Sequence, residues 1–238
     1  MRALILAAGR GERMRPLTDD VPKPLLMAGE RRLIEWQIEA LARAGVRELI
    51  VNVAHLADAF ELALGRGEAY GVTLAYSREG DRAEDALETL GGIVRALPLL
   101  GSAPFVVVSG DIVTDFDYST LRPRAHALAA GAADAHLVLV DNPSFHARGD
   151  MGLVDGHIAL DATERLTYAN VGVFAPALFA GLPAERARLF PWLYGAARAG
   201  RVTGEHFSGR WHNVGTPDEL ARLDAELGQS GRLHRHDS

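Results

Sequence analysis

Apolar runs of strand length alternate with helically spaced stripes through the first 140 residues. Ala3–Ala8 is a continuous apolar run and predicts a buried first strand. From Leu33 to Ala44, Ile34, Ile38 and Leu41 recur at helical spacing, and Gly45 supplies a C-terminal stop. Glu48–Val53 predicts a second strand, Leu56–Leu64 a helix and Val72–Tyr76 a third strand. A helix containing Ile93–Leu97 opens at Thr89-Leu90-Gly91-Gly92. Phe105–Ser109 is an uninterrupted apolar run, as a strand covered on both faces requires, and Ala135–Val140 is another strand. This rhythm predicts an α/β fold with a mainly parallel sheet between helices.

After Asn142 the rhythm breaks. Short strands at Gly152–Val154, His157–Leu160 and Asn170–Phe174 are mixed with Gly and Pro turns, and helices are expected near Pro176–Ala180 and Phe190–Ala199. Thr216-Pro217-Asp218-Glu219 reads as a helix start: Thr216 caps, Pro217 suits the first position and Glu219 reaches back. Leu220, Leu223 and Leu227 then form one stripe. We expect one domain over 1–227, with a first half to about 140, a lid-like second half from 141, and a frayed polar tail over 228–238.

Composition narrows the function. With no cysteine, disulfides and thiolate metal sites are excluded, and the nine histidines show no metal-binding spacing. A net charge of −6 argues against a general nucleic-acid or anionic-membrane binder. No stretch is long enough to span a bilayer and none reads as a secretory leader, so a cytoplasmic location is expected.

Against that negative balance, Arg10, Arg13, Arg15 and Lys23 cluster around Gly9-x-Gly11, directly after the first strand. Glycines admit close backbone approach and the cations match a polyphosphate, so the segment reads as a nucleoside-triphosphate grip. A dinucleotide turn would want glycine where Met14 stands, and a Walker loop would want Lys-Ser/Thr at its end; neither fits. Ser109-Gly110-Asp111 follows a buried strand, where ligands of open parallel sheets gather. Asp111 suits Mg²⁺, and on position alone it equally suits a turn closed by backbone N–H groups. Trp211 to Pro217 reads either as a plain strand entering a capped helix or as a site wall with Asn213 offering oxygen to a metal. Asp115 and Asp117 belong to a turn and helix cap before Tyr118 and Leu121.

Together these segments resemble the sugar-phosphate nucleotidyltransferases. The carrying residues are Leu6 through Thr18, Pro22-Lys23-Pro24-Leu25, Gly110-Asp111 and Trp211 through Pro217, in the order and spacing of that family. The resemblance implies a three-layer Rossmann-like (GT-A-like) fold and a Mg²⁺-dependent synthesis of a nucleotide sugar and pyrophosphate from a nucleoside triphosphate and a sugar 1-phosphate. It implies catalytic roles for Arg13, Lys23 and Asp111, and nucleotide contacts from Ala8, Gly9, Gly11, Glu12, Arg13, Lys23 and Gly91. Sugar-phosphate contacts fall on Ser109, Gly110, Asp150, Gly152 and Asn170, and metal ligation on Asp111 with Asn213. Stretches at 139–143, 146–150 and 204–206 are similar to the short N-acetylmuramate-1-phosphate uridylyltransferases, which favours UTP and that sugar phosphate. Mannose-1-phosphate guanylyl and glucose-1-phosphate thymidylyl or uridylyl transfer are the rivals, with a non-catalytic nucleotide-sugar regulator behind them. Over these 238 residues the C-terminal β-helix common in the family is not expected, and a monomer or dimer is expected. Two departures stand out. Asn213 occupies a position often held by aspartate, and the stretch around Ala162-Thr163-Glu164-Arg165 lacks the lysine that grips the sugar phosphate in many members.

Overall fold

A computed structural model describes residues 1–80 and 82–233. The first part of the chain runs β1 (Ala3–Leu6), β2 (Met27–Ala28), β3 (Arg31–Arg32), α1 (Leu33–Arg43), β4 (Glu48–Val53), α2 (Ala57–Leu64), β5 (Thr73–Arg78), α3 (Glu88–Leu100), β6 (Phe105–Ser109), β7 (Ile112–Thr114), α4 (Leu121–Ala129) and β8 (Ala135–Val140). The remainder runs β9 (Gly152–Val154), β10 (His157–Ala159), β11 (Thr167–Phe174), α5 (Leu189–Trp192), α6 (Tyr194–Arg198), β12 (Val202–His206), β13 (Trp211–Asn213) and α7 (Pro217–Leu233).

The main sheet has the order β5-β4-β1-β6-β11-β8-β12-β10-β9. Its first four strands are parallel, as the βαβ rhythm demands. β11 then enters antiparallel between β6 and β8, and only β12 beside β8 is parallel beyond that point. The two expected halves therefore interleave in one sheet. β12 was not anticipated because Val-Thr-Gly-Glu-His buries only Val202 and Gly204 and carries no apolar run.

Helices cover both faces, giving three layers. Ile34, Ile38 and Leu41 of α1 pack with Ile5, Val51 and Val108 on one face. Ile93 and Ala96 of α3, with Phe179 and Leu193, pack with Leu4, Ile50 and Val107 on the other. Alternate residues of each central strand thus serve opposite cores. Two expected elements differ. The helix expected over 190–199 is two short pieces, α5 and α6, with Leu193 between them, and Phe190 inside the first has extended backbone (φ −104°, ψ 137°). Residues 228–233, expected as frayed tail, continue α7; the end of that tail, with His234 and His236, lies outside the described residues.

Candidate active site

The carboxyl ends of β5, β4, β1 and β6 form the floor of a cleft of about 590 Å³. Along it lie Glu79 just past β5, Asn52 on β4, Leu6 at the end of β1 with Ala7 and Ala8 just beyond, and Ser109 at the end of β6 with Asp111 beyond it. The loop after β1 forms one wall through Gly9 to Met14, and Lys23 and Pro24 stand beside it.

That loop is held in shape by its own sequence. Gly11 takes a left-handed conformation (φ 62°), and a Cβ there would stand 3.0 Å from Thr18 Cγ2 and 3.2 Å from Lys23 Cβ. The Met14 N–H and the Thr18 hydroxyl both donate to the Gly11 carbonyl, each at 2.8 Å. Met14 is fully buried with Leu33, Val113, Val214 and Leu223. Burial of such a side chain contributes about 1.5–3 kcal/mol, so an apolar anchor holds the cationic loop against β7, β13 and α7. The Arg13 guanidinium lies against Gly215, where a Cβ would stand 3.2 Å from Nη2.

Lys23 crosses the cleft and donates to Asp111 Oδ2 at 2.5 Å. The side chains are 12% and 25% exposed, so both charges are partly withdrawn from water. Gly110 lets this turn close: its N–H donates to the Leu6 carbonyl (2.9 Å), and a Cβ would meet that oxygen at 3.2 Å. The turn is fixed from behind, because buried Gln37 Nε2 donates to the Ile112 carbonyl at 2.7 Å and Tyr118 Oη donates to Gln37 Oε1. The Val214 N–H donates to the Asp111 carbonyl (3.0 Å), and β13 pairs Asn213 with Ile112. Asn213 is therefore a neighbour of Asp111 in register; it lines a smaller cleft of about 190 Å³ with Trp211, His212, Glu219 and Arg222.

The opposite end of the main cleft is a polar frame. The Ala7 N–H donates to Asn52 Oδ1 (2.6 Å), Asn52 Nδ2 to Glu79 Oε1 (2.6 Å), and the Leu87 N–H to Glu79 Oε2 (2.7 Å). Burial pushes the Glu79 carboxyl above the ordinary glutamate range, against the Leu87 and Asn52 donors that favour its charged form. Sequence reasoning missed Asn52 and Glu79, since neither belongs to a motif. It also missed Arg186, which reaches the cleft from the second half of the chain.

Ala8, Gly9, Gly11, Glu12, Arg13, Lys23, Ser109 and Asp111 line the cleft, and Gly110, between the last two, does not. Gly91 does not line it. Its N–H donates to the Ala187 carbonyl, and a Cβ would overlap the Glu185 carbonyl oxygen, so packing accounts for the glycine. Asp150, Gly152 and Asn170 line neither cleft. Asp150 Oδ1 is held by His146 Nε2 (2.9 Å) and Oδ2 by the Tyr168 N–H (2.8 Å), which fastens the 143–150 loop to β11. Gly152 is filled in by Ala162 and the Glu164 carbonyl. Asn170 takes φ 57° where β11 shifts register between Tyr168 and Gly172. Arg165, at the place of the missing lysine, donates to the Asp150 carbonyl. Asp117 caps the turn before α4 as expected, accepting from the Ser119 N–H at 2.9 Å.

A strand-end cleft that brings a glycine loop together with Arg13, Lys23 and the Asp111 carboxylate has the parts for nucleotidyl transfer. Residues 2–149 match the family model for nucleotidyl transferases, and the chain belongs to that family. It is 45% identical to the N-acetylmuramate alpha-1-phosphate uridylyltransferase of Neisseria meningitidis, over 96% of this chain and 99% of that protein. The enzyme of the same description from Caulobacter vibrioides is 35% identical, over 96% and 97%. A solved structure from Bacillus anthracis, assigned as a glucose-1-phosphate thymidylyltransferase, shares the fold at 21% identity, with a TM-score of 0.79 over 95% of each chain.

Proposed function

We propose that this protein transfers a uridylyl group from UTP to N-acetylmuramate 1-phosphate, forming UDP-N-acetylmuramate and pyrophosphate. The observation that supports the substrate choice is 45% identity, almost end to end, with the Neisseria uridylyltransferase. The cleft supports the reaction type.

An oxygen of the sugar phosphate attacks the α-phosphorus of UTP. The new P–O bond forms as the bond to the β-phosphate bridge breaks, and pyrophosphate leaves with the electron pair. The nucleophile is already anionic, so no base is required. The barrier lies in aligning two anions and stabilising charge on the leaving group. Gly9 and Gly11 let the backbone approach the triphosphate. Arg13 holds the departing β- and γ-phosphates, and Lys23 exchanges its contact with Asp111 for the α-phosphate or the incoming sugar phosphate. Ser109 and Gly110 border the sugar-phosphate side.

Asp111 and Asn213 offer hard oxygen donors, which suits Mg²⁺. Among the described residues no three His, Cys, Asp or Glu side chains form a metal cage, so this donor set fits an ion that also needs phosphate oxygens and water. Such an ion neutralises phosphate charge when bound. A UTP-consuming reaction fits the cytoplasm, where nucleoside triphosphates are.

The test is a grid of nucleoside triphosphates against sugar 1-phosphates with Mg²⁺, read by pyrophosphate release. Highest kcat/KM for UTP with N-acetylmuramate 1-phosphate is expected. Preference for GTP with mannose 1-phosphate or TTP with glucose 1-phosphate would overturn the substrate reading. No turnover with any pair would favour the regulator reading, to which the neutral Asn213 gives some footing.

A further inference from the structure

We propose that Arg186 is a nucleotide-binding residue that engages the uracil end of UTP. This rests on the uridylyltransferase reading of the cleft. The phosphate grip lies at Arg13, Lys23 and Asp111, so a nucleotide laid along the strand ends puts its base toward Asn52, Glu79 and the start of α3. Arg186 stands at that end, lining the cleft with Ala86, Glu88 and Thr89.

The segment that delivers it is built into the cleft wall. The Ala187 carbonyl accepts from the Leu90 N–H (3.0 Å) and the Gly91 N–H (3.3 Å), and the Ala187 N–H donates to the Leu87 carbonyl (3.0 Å). Gly91 is the residue that lets this backbone come so close. Arg186 is thus carried on a fixed strap, while its own side chain is 55% exposed and pairs with Glu88, Nη2 to Oε1 at 3.3 Å.

Uracil presents two acceptor carbonyls, one N–H and a flat face. The frame at this end has already spent the N–H groups of Leu87, Leu90 and Gly91 on itself, and one amide hydrogen of Asn52 on Glu79. A guanidinium adds five donors and a planar cation that stacks on an aromatic ring. Glu79 and Glu88 repel a polyanion, and Arg186 offsets one of them in place. Nothing in the sequence pattern around Pro183-Ala184-Glu185-Arg186 marks this role.

The experiment measures UTP dissociation constants by calorimetry and KM and kcat by pyrophosphate release, for wild type, Arg186→Ala, Arg186→Lys and Glu88→Gln. Arg186→Ala should weaken UTP about tenfold in both Kd and KM, with kcat within about twofold and an unchanged melting temperature. Arg186→Lys should recover only part of the loss, because a lysine cannot stack. Glu88→Gln should tighten UTP, by freeing the guanidinium and removing a negative charge. Unchanged UTP affinity in Arg186→Ala would overturn the proposal. So would equal weakening in Glu88→Gln, which would make the pair a structural latch. If wild type prefers another nucleoside triphosphate, the uridylyl reading falls and Arg186 is judged by the same ratios on that nucleotide.

Discussion

Removing the Lys23 ammonium is the sharpest test of the catalytic reading. Lys23→Ala deletes a cation that lies 2.5 Å from Asp111 in a cleft shared with Arg13. Two unit charges about 4 Å apart interact by roughly 4 kcal/mol at an effective dielectric near 20. That sets the scale of what Lys23 offers to charge growing between nucleotide and sugar phosphate. Part of it is already present in the ground state, and single donors of this kind commonly account for about 3 kcal/mol. The expected loss is therefore about 10²-fold in kcat. The fold should survive. Lys23 and Asp111 are 12% and 25% exposed, so losing the pair should cost about 1–3 kcal/mol, between an exposed and a buried ion pair. The assay is pyrophosphate release at saturating UTP and sugar 1-phosphate, with a melting curve alongside. A kcat within threefold of wild type would refute the role. So would a melting temperature lowered enough to account for the loss by unfolding.

Three further expectations accompany it. Asn213→Asp adds a carboxylate on the strand that pairs next to Asp111 and, if residue 213 turns to the metal, should lower the Mg²⁺ concentration giving half-maximal rate; an unchanged titration would put residue 213 outside the metal site. Gly11→Ala forces a Cβ against Thr18 and Lys23 at φ 62° and should cost about 1–3 kcal/mol, read as a lower midpoint in denaturant; wild-type stability would mean that the loop relaxes freely. Glu205 is held below the ordinary glutamate range by His136, with a smaller contribution from Arg124. A lowered folded value gives stability that is fully present above the ordinary range and is lost as pH falls through the folded value, so Glu205→Gln should flatten the acid limb of the stability curve; an identical acid limb would contradict it.

Periodicity carried the parallel half of the fold because burial on two faces writes itself as apolar runs. Glu48–Val53, Phe105–Ser109 and Ala135–Val140 were legible to the residue. β7 and β12 were not, because both strands are short or polar, and of α4 only the cap ahead of Leu121 was legible. The phosphate end of the site was legible because backbone approach and charge demand glycines and cations at close spacing. The frame of Asn52 and Glu79, and Arg186, left no local signature. They come together only through the sheet order and through the strap that β11 sends back over α3.

The family match ends at residue 149, yet β8 is flanked by β11 and β12, both encoded after that point. A fragment cut at the boundary would leave a central strand with neither neighbour and its backbone donors and acceptors unsatisfied. It would also lose Arg186 and Gly215 from the cleft walls. Truncation is thus expected to abolish folding rather than yield a minimal nucleotide binder. The stretch that matches the family model is therefore not a unit that can stand by itself.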